Sequence, residues 1–247
     1  ISYYAPHLKV EVTQKTLEKY EKKGQPPRCI IPGFAGMVED MDTGFGWVLD
    51  ALDRLDLNEN TYVIFTADNG ASDLTGPTES DSRRPSANHP LRGHKQLLYE
   101  GGIRVPFIVR GPGVAPGGFC REAVVAYDLW PTLHDLAGGG TAWPDTIDGG
   151  SLRNVLHGGG QGTVERPLPG VVFHRPRHAQ SAIRSRDLKL FFNWKSGRGE
   201  LFDLSRDLGE AKDLAGEMPD QAGALESLLM DYLQAVDAQR FPFVYER

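Results

Sequence analysis

Cysteine is scarce: Cys29 and Cys120 are the two among 247 residues. Two thiols can pair or stay free, so they define neither a disulfide framework nor a redox compartment. Any apolar run long enough to span a bilayer is missing, and so is any long block of one charge. The net charge of −6 is mild. The basic face expected of a nucleic-acid protein is absent, although an acidic chain still accommodates a locally positive pocket for a small anion. No long internal repeat or low-complexity tract occurs. What the chain does have is 40% hydrophobic residues, enough for one large domain or a domain with a small appendage. It opens on Ile1 rather than Met. This start is read as lying inside a longer protein or after a removed segment, with any signal peptide upstream.

Two apolar runs stand out. Thr61-Tyr62-Val63-Ile64-Phe65-Thr66 is uncharged, β-branched and aromatic. It predicts a strand covered on both faces. Asp68-Asn69-Gly70 follows at its carboxyl end, where ligands of open α/β sheets collect. A carboxylate and an amide oxygen suit a hard cation such as Ca²⁺ or Mg²⁺; Asp and Asn before Gly also make an ordinary turn. The second run is Val105-Pro106-Phe107-Ile108-Val109. Before it come Gly93-His94-Lys95 and Tyr99-Glu100-Gly101-Gly102-Ile103-Arg104. The paired glycines predict a bend at which backbone approaches a ligand. Lys95 offers a cation for an oxyanion there, or is simply a surface lysine. At the chain's start, Tyr3-Tyr4-Ala5-Pro6-His7 places a histidine after a β-prone stretch. His7 is a candidate acid, base or ligand, or a solvated loop residue.

The ordered pair of runs resembles the sulfatase family of the alkaline-phosphatase-like superfamily. The match is carried by Val63 to Gly70 and by Gly93-His94-Lys95 through Pro106. The Tyr-Tyr-x-Pro-His run, Asp128 with Pro131 and Thr132, and Asp148-Gly149-Gly150-Ser151-Leu152 extend the likeness. So do Ala182-Ile183-Arg184, Leu188-Lys189-Leu190 and Glu200 to Leu204, until it covers nearly the whole sequence. The resemblance implies that Asp68 and Asn69 bind Ca²⁺, less often Mg²⁺. It implies that Lys95 and His7 contact the sulfate and its bridging oxygen. A saccharide or other small-molecule sulfate ester would be the substrate, and the periplasm or the outside of the cell the compartment.

The remaining pattern completes the expected fold: α/β, an alkaline-phosphatase-like mixed sheet flanked by helices and present in part, with a small C-terminal α+β subdomain of antiparallel strands and one helix. The catalytic part is assigned to residues 1–150 and the subdomain to 151–247. Residues 11–28 are polar and lysine-rich, a surface excursion with a short helical piece. Apolar residues at steps of three and four over 34–55 predict an amphipathic helix. Gly36, Gly44 and Gly46 would let it lie close to the sheet, and Asp40 and Asp42 are assigned no chemistry. Residues 71–91 form a long polar loop joining the two site runs. Its Arg83, Arg84 and His89 either meet an anionic substrate or are solvated. A strand start and then a helix near Pro131 are expected over 123–136, in a structural role. Short strands at 171–173, 181–186, 188–192 and 200–204, with turn signals between, predict an antiparallel sheet. Leu225, Leu228, Leu229, Tyr232, Leu233 and Val236 mark the helix behind it. His174, Arg175, Arg177 and His178 make a basic cluster, on the subdomain surface or reaching the site.

One family feature is missing. Sulfatases convert the Cys or Ser of a Cys/Ser-x-Pro-x-Arg motif into the formylglycine nucleophile, and no such motif occurs here. Cys29 leads into Ile30-Ile31-Pro32-Gly33 and Cys120 into Arg121-Glu122-Ala123. The family's early paired aspartates are absent too. The expectation is therefore the C-terminal part of a calcium-dependent sulfatase, with formylglycine upstream. The partner is the missing N-terminal half of the same protein, and the chain alone is inactive. Two alternatives stay open. One is a phosphatase or phosphonate hydrolase of the same superfamily; the other is a non-catalytic binding protein derived from a sulfatase.

Overall fold

The computed structural model describes residues 1–7, 9–24, 31–72 and 87–239. Cys29, Arg83 and Arg84 lie outside the described residues. In chain order the helices and strands are α1 (Gln14–Lys22), α2 (Pro32–Arg54), β1 (Val63–Thr66), α3 (Glu100–Ile103), β2 (Phe107–Arg110), α4 (Leu129–His134) and α5 (Arg153–His157). They continue with β3 (Val171–Arg175), β4 (Gln180–Ser185), β5 (Leu188–Asn193), β6 (Arg198–Asp203) and α6 (Pro219–Ala235). No helix among the described residues is long and apolar enough to cross a membrane.

α1 and α2 form the first layer. Thr13 caps α1, its hydroxyl accepting from Thr16 N at 3.3 Å. Asp40, on α2, reinforces that cap by accepting from Thr13 N at 2.9 Å and from the Thr16 hydroxyl at 2.7 Å. Those bonds hold its carboxyl below the usual carboxylate range. An aspartate assigned no chemistry thus has a structural task that its own helix does not reveal. The glycines of α2 also act differently from expectation. Cβ atoms at Gly33 and Gly36 would meet Val10 and Val12, so the missing side chains admit the segment leading into α1 rather than the sheet.

β1 and β2 pair antiparallel, from Val63↔Arg110 to Thr66↔Phe107. Pairing begins at Phe107 because Pro106 has no N–H to give the ladder. α2 packs on this pair, with the Phe45 and Phe65 rings 5.4 Å apart. The expected cover on both faces is not found among the described residues. No residue of β1 is fully buried, and Ile108 is 61% exposed.

The C-terminal sheet is a meander in the order β3-β4-β5-β6, with Ala182↔Phe191 and Lys189↔Phe202 among its partners. Side chains alternate between its faces. Phe173, Ala182, Phe191 and Phe202 meet Leu97, Leu98 and Tyr99 on one side. Val172, Ile183, Leu190 and Leu201 meet Leu225, Leu229 and Leu233 of α6 on the other. Pro219 starts α6 where its missing N–H costs nothing. Each fully buried leucine here contributes about 1.5–3 kcal/mol.

Asp128 joins the two parts. It is fully buried and accepts from Val125 N, Gly150 N and two nitrogens of Arg166, at 2.6–3.1 Å. Thr132 donates to Asp128 O and accepts from Leu152 N. The 128–132 and 148–152 segments are thereby fastened together. The strand expected at the start of 123–136 does not form. Val125 is extended, but its N–H goes to the Asp128 carboxylate instead of a ladder.

Candidate functional site

The site is assembled from backbone first. After β1 the chain turns through Asp68-Asn69-Gly70, and Gly70 N donates to Gly102 O at 3.0 Å. A side chain on Gly70 would strike Gly101 O, and side chains on Gly101 and Gly102 would strike carbonyls of the 92–97 loop. The Glu-Gly-Gly bend is therefore a one-turn helix packed on the loop that carries Lys95. Its close approach is to protein backbone, and Gly102 also borders the adjoining cleft. Asn88 completes the junction: it accepts from Ala71 N and donates to Ala71 O, both at 2.9 Å, and donates to Gly93 O at 3.3 Å. Lys95 N donates to Ala71 O at 2.9 Å. Gln96 takes a left-handed backbone at φ 85°, an arrangement costing a non-glycine residue on the order of 1 kcal/mol and held by its surroundings.

A cleft of about 340 Å³ opens on this junction. Asp68, Asn69, Lys95 and Gln96 line it from one side; Leu97, Leu98 and Ile103 add apolar surface; Phe173 and Arg175 come from β3. His7 joins through Lys95, whose Nζ stands 3.2 Å from His7 Nε2. A lysine ammonium can only donate, so Nε2 accepts and the His7 proton sits on Nδ1. His7 N also donates to Tyr4 O at 3.0 Å, closing the turn that presents the ring. Asp68, Asn69, Lys95 and His7 thus come together. His89 is exposed and is not one of the residues lining the cleft.

Asp68 is exposed, and its carboxylate makes no hydrogen bond or ion pair among the described residues. Asn69 donates its amide N–H to Gly70 O at 3.0 Å, which leaves its oxygen to act as an acceptor at the cleft. Two adjacent hard oxygens fit a divalent cation in kind. Among the described residues no cluster of three or more His, Cys, Asp or Glu could hold a metal ion. A larger hollow of about 420 Å³ lies along Gly223, Glu226, Ser227, Met230 and Asp231 on α6. It offers two carboxylates and no cation, so it is unsuited to an oxyanion.

Beneath the site lies a buried charge network with no trace in the sequence pattern. Lys189 is fully buried, its Nζ 2.9 Å from Glu100 and 2.7 Å from Glu210. Glu100 also accepts from Arg104 at 2.9 Å, and its backbone N–H donates to Glu210 at 2.7 Å. Burial pushes the Glu100 carboxyl up, but Lys189 and Arg104 together outweigh it and hold the group below its ordinary value. Burial dominates at Glu210 and, with the Glu100 charge beside it, raises it above its ordinary value, although Lys189 and the Glu100 backbone N–H pull the other way. Arg92, at the start of the Lys95 loop, stacks 3.8 Å above the Tyr99 ring and donates to Glu210 O at 3.0 Å. Arg92 also lies 5.8 Å over the Phe202 ring of β6, so the C-terminal sheet holds the loop from below. The basic cluster of β3 divides by strand parity. His174 bridges the Ser181 hydroxyl and Gln239 O on the far face, while Arg175 faces the cleft. Alternation from Phe173 was the one signal that could have found Arg175.

The sulfatase family model matches residues 1–139, and the model of the N-sulphoglucosamine sulphohydrolase C-terminal region matches residues 93–239. A sulfatase of Formosa agariphila is 34% identical over 245 residues, covering 90% of this chain and 42% of that protein. Human arylsulfatase A is 30% identical, covering 96% of this chain and 48% of that protein. The crystal structure of Ps i-CgsB in complex with k-i-k-neocarrahexaose superposes with a TM-score of 0.73 at 24% identity, over 92% of this chain and 48% of that one. This chain spans less than half the length of these relatives.

Proposed function

Because the chain belongs to the sulfatase family, we propose that it forms the C-terminal part of a calcium-dependent sulfuric ester hydrolase acting on small-molecule or saccharide sulfates. The observation that carries the reading is the meeting of Lys95 and His7 at 3.2 Å beside a cleft lined by Asp68 and Asn69. The Lys95 ammonium balances the sulfate charge as it grows along the reaction. The Lys95–His7 pair holds the proton that the departing ester oxygen needs. Asp68 and Asn69 would supply two of the six to eight oxygens that Ca²⁺ takes, or two of the six octahedral positions of Mg²⁺. Bound there, the cation would add Lewis-acid polarisation of the sulfate oxygens. The remaining ligands and the formylglycine nucleophile would come from the N-terminal half of the same protein. Exposed apolar side chains on α2, β2 and α4 support such a partner: Trp47 is 70% exposed, Ile108 61%, and Trp130 and Leu133 51% each.

The test is turnover of p-nitrophenyl sulfate by the full-length protein, with and without a chelator, alongside mass measurement for formylglycine. Replacing Lys95 or His7 by Ala should lower kcat/KM by about 10²–10⁴-fold. The 247-residue chain alone should show none. Turnover by this chain alone contradicts its proposed inactivity. A full-length protein that turns over p-nitrophenyl phosphate instead contradicts the sulfatase assignment, as does one that binds sulfate without formylglycine or turnover.

A further inference from the structure

The function proposed above leaves Arg175 unused. It lies at the end of β3, where strand alternation sets it on the same face as Phe173. Both residues line the cleft opposite the Lys95 loop. Its guanidinium donates to His178 Nε2 at 3.2 Å, and His178 belongs to the short helical turn directly after the strand. That bond orients one edge of a planar group suited to binding carboxylate or sulfate through paired N–H donors. The cleft, at about 340 Å³, falls within the roughly 300–1,000 Å³ typical of sites for whole small molecules. A sulfate held at Lys95 and His7 therefore leaves room for the body of its ester. Phe173, Leu97, Leu98 and Ile103 offer that body apolar surface.

The geometry points to Arg175 as a specificity-determining residue that binds a second anionic group of the substrate, a carboxylate or a further sulfate carried beyond the ester being cleaved. The favoured substrate class is then a polyanionic sulfated saccharide rather than a neutral alcohol or phenol bearing one sulfate. The inference rests on the sulfate-ester reading of the cleft. It deepens that reading by assigning the second wall to the C-terminal sheet.

The experiment uses the full-length protein and two probe pairs. The first is a sulfated uronate-containing disaccharide and its carboxyl-reduced form, alike in shape and differing by one charge. The second is a disulfated and a monosulfated hexosamine. Dissociation constants are measured for each, with KM where turnover occurs. The wild type should favour the more anionic member of at least one pair by about tenfold or more, the scale of a charge-assisted hydrogen bond. Arg175→Gln should bring that ratio near one. Arg175→Lys should restore part of it, which separates lost recognition from misfolding. Arg177→Gln removes the same charge from an exposed neighbour that does not line the cleft, and should keep the preference. No preference in the wild type overturns the inference. So does a preference that survives Arg175→Gln, or one lost equally in Arg177→Gln. A failure of the sulfatase reading looks different: no sulfate ester is hydrolysed and Lys95→Ala leaves inorganic sulfate binding unaltered, whatever the ratio at Arg175 does.

Discussion

The two sheets of this chain are built to different standards. In the C-terminal meander Ala182, Ile183 and Leu201 are completely buried, and Leu229 of α6 with them. Around β1 and β2 the strands are half-covered, and Trp47 and Ile108 face outward. A four-stranded sheet packed on both faces supplies its own core. A two-stranded ribbon with one helix layer does not, since a lone hairpin is marginal in water. Yet the candidate chemistry, at Asp68, Asn69, Lys95 and His7, belongs to the less buried part. The lesson is in how the better-packed half supports it. The face of the C-terminal sheet that holds Leu97, Leu98 and Tyr99 also presents Lys189 to Glu100 and Arg175 to the cleft.

Breaking that support should give the largest effect. Lys189→Ala leaves two buried carboxylates without their cation and should destabilise the chain by about 3–5 kcal/mol, read by chemical denaturation. A loss under about 1 kcal/mol would mean that the network is not closed as described. Next comes the core behind the sheet. Leu229→Ala should cost about 2–5 kcal/mol in the same assay, through a cavity between α6 and the strands.

The two glutamates around Lys189 sharpen the comparison further, because they titrate in opposite senses. Glu100 is held below its ordinary value. Its contribution is present above about pH 4.3 and is lost as pH falls through the folded value. Glu210 is raised, so its contribution is present below about pH 4.3 and is lost as pH rises through the folded value. At neutral pH Glu100→Gln should cost about 1–3 kcal/mol and Glu210→Gln less. The stability of Glu210→Gln relative to wild type should increase with pH. Denaturation across roughly pH 4 to 8 checks both signs, and equal costs at every pH would refute the distinction.

The smallest effect is expected at the open face. Trp47→Ala should stay within about 0.5 kcal/mol in this chain. In the full-length protein it should cost about 3–5 kcal/mol, the scale of a buried tryptophan lost to a cavity. Equal small values in both would remove the proposed N-terminal half as the cover for this face.

Local pattern was enough for much of this molecule. The 3.6-residue period over 34–55 announced α2 and the alternation and turn residues after 170 announced the meander, each within two residues, while α6 was marked from Leu225 and begins at Pro219. Asp68-Asn69, Lys95 and His7 stood out because each couples a chemically apt side chain to a strand end or a glycine turn. Other features follow from contacts between residues far apart in sequence, and no window along the chain contains them. Thr13 finds its second cap in Asp40. Asp128 accepts from Gly150 N and Arg166, 22 and 38 residues further on. Asn88 bridges Ala71 and Gly93.

Sequence by itself thus determined most of the elements and the reactive residue types, since periodicity and turn chemistry act over a few neighbours. Only tertiary structure decided that His7 meets Lys95, that Lys189 rather than a hydrophobe fills the space under Glu100, and that Arg175 faces the cleft while His174 faces away. Those outcomes depend on strand register and on which faces pack, quantities that appear only once distant segments share one core.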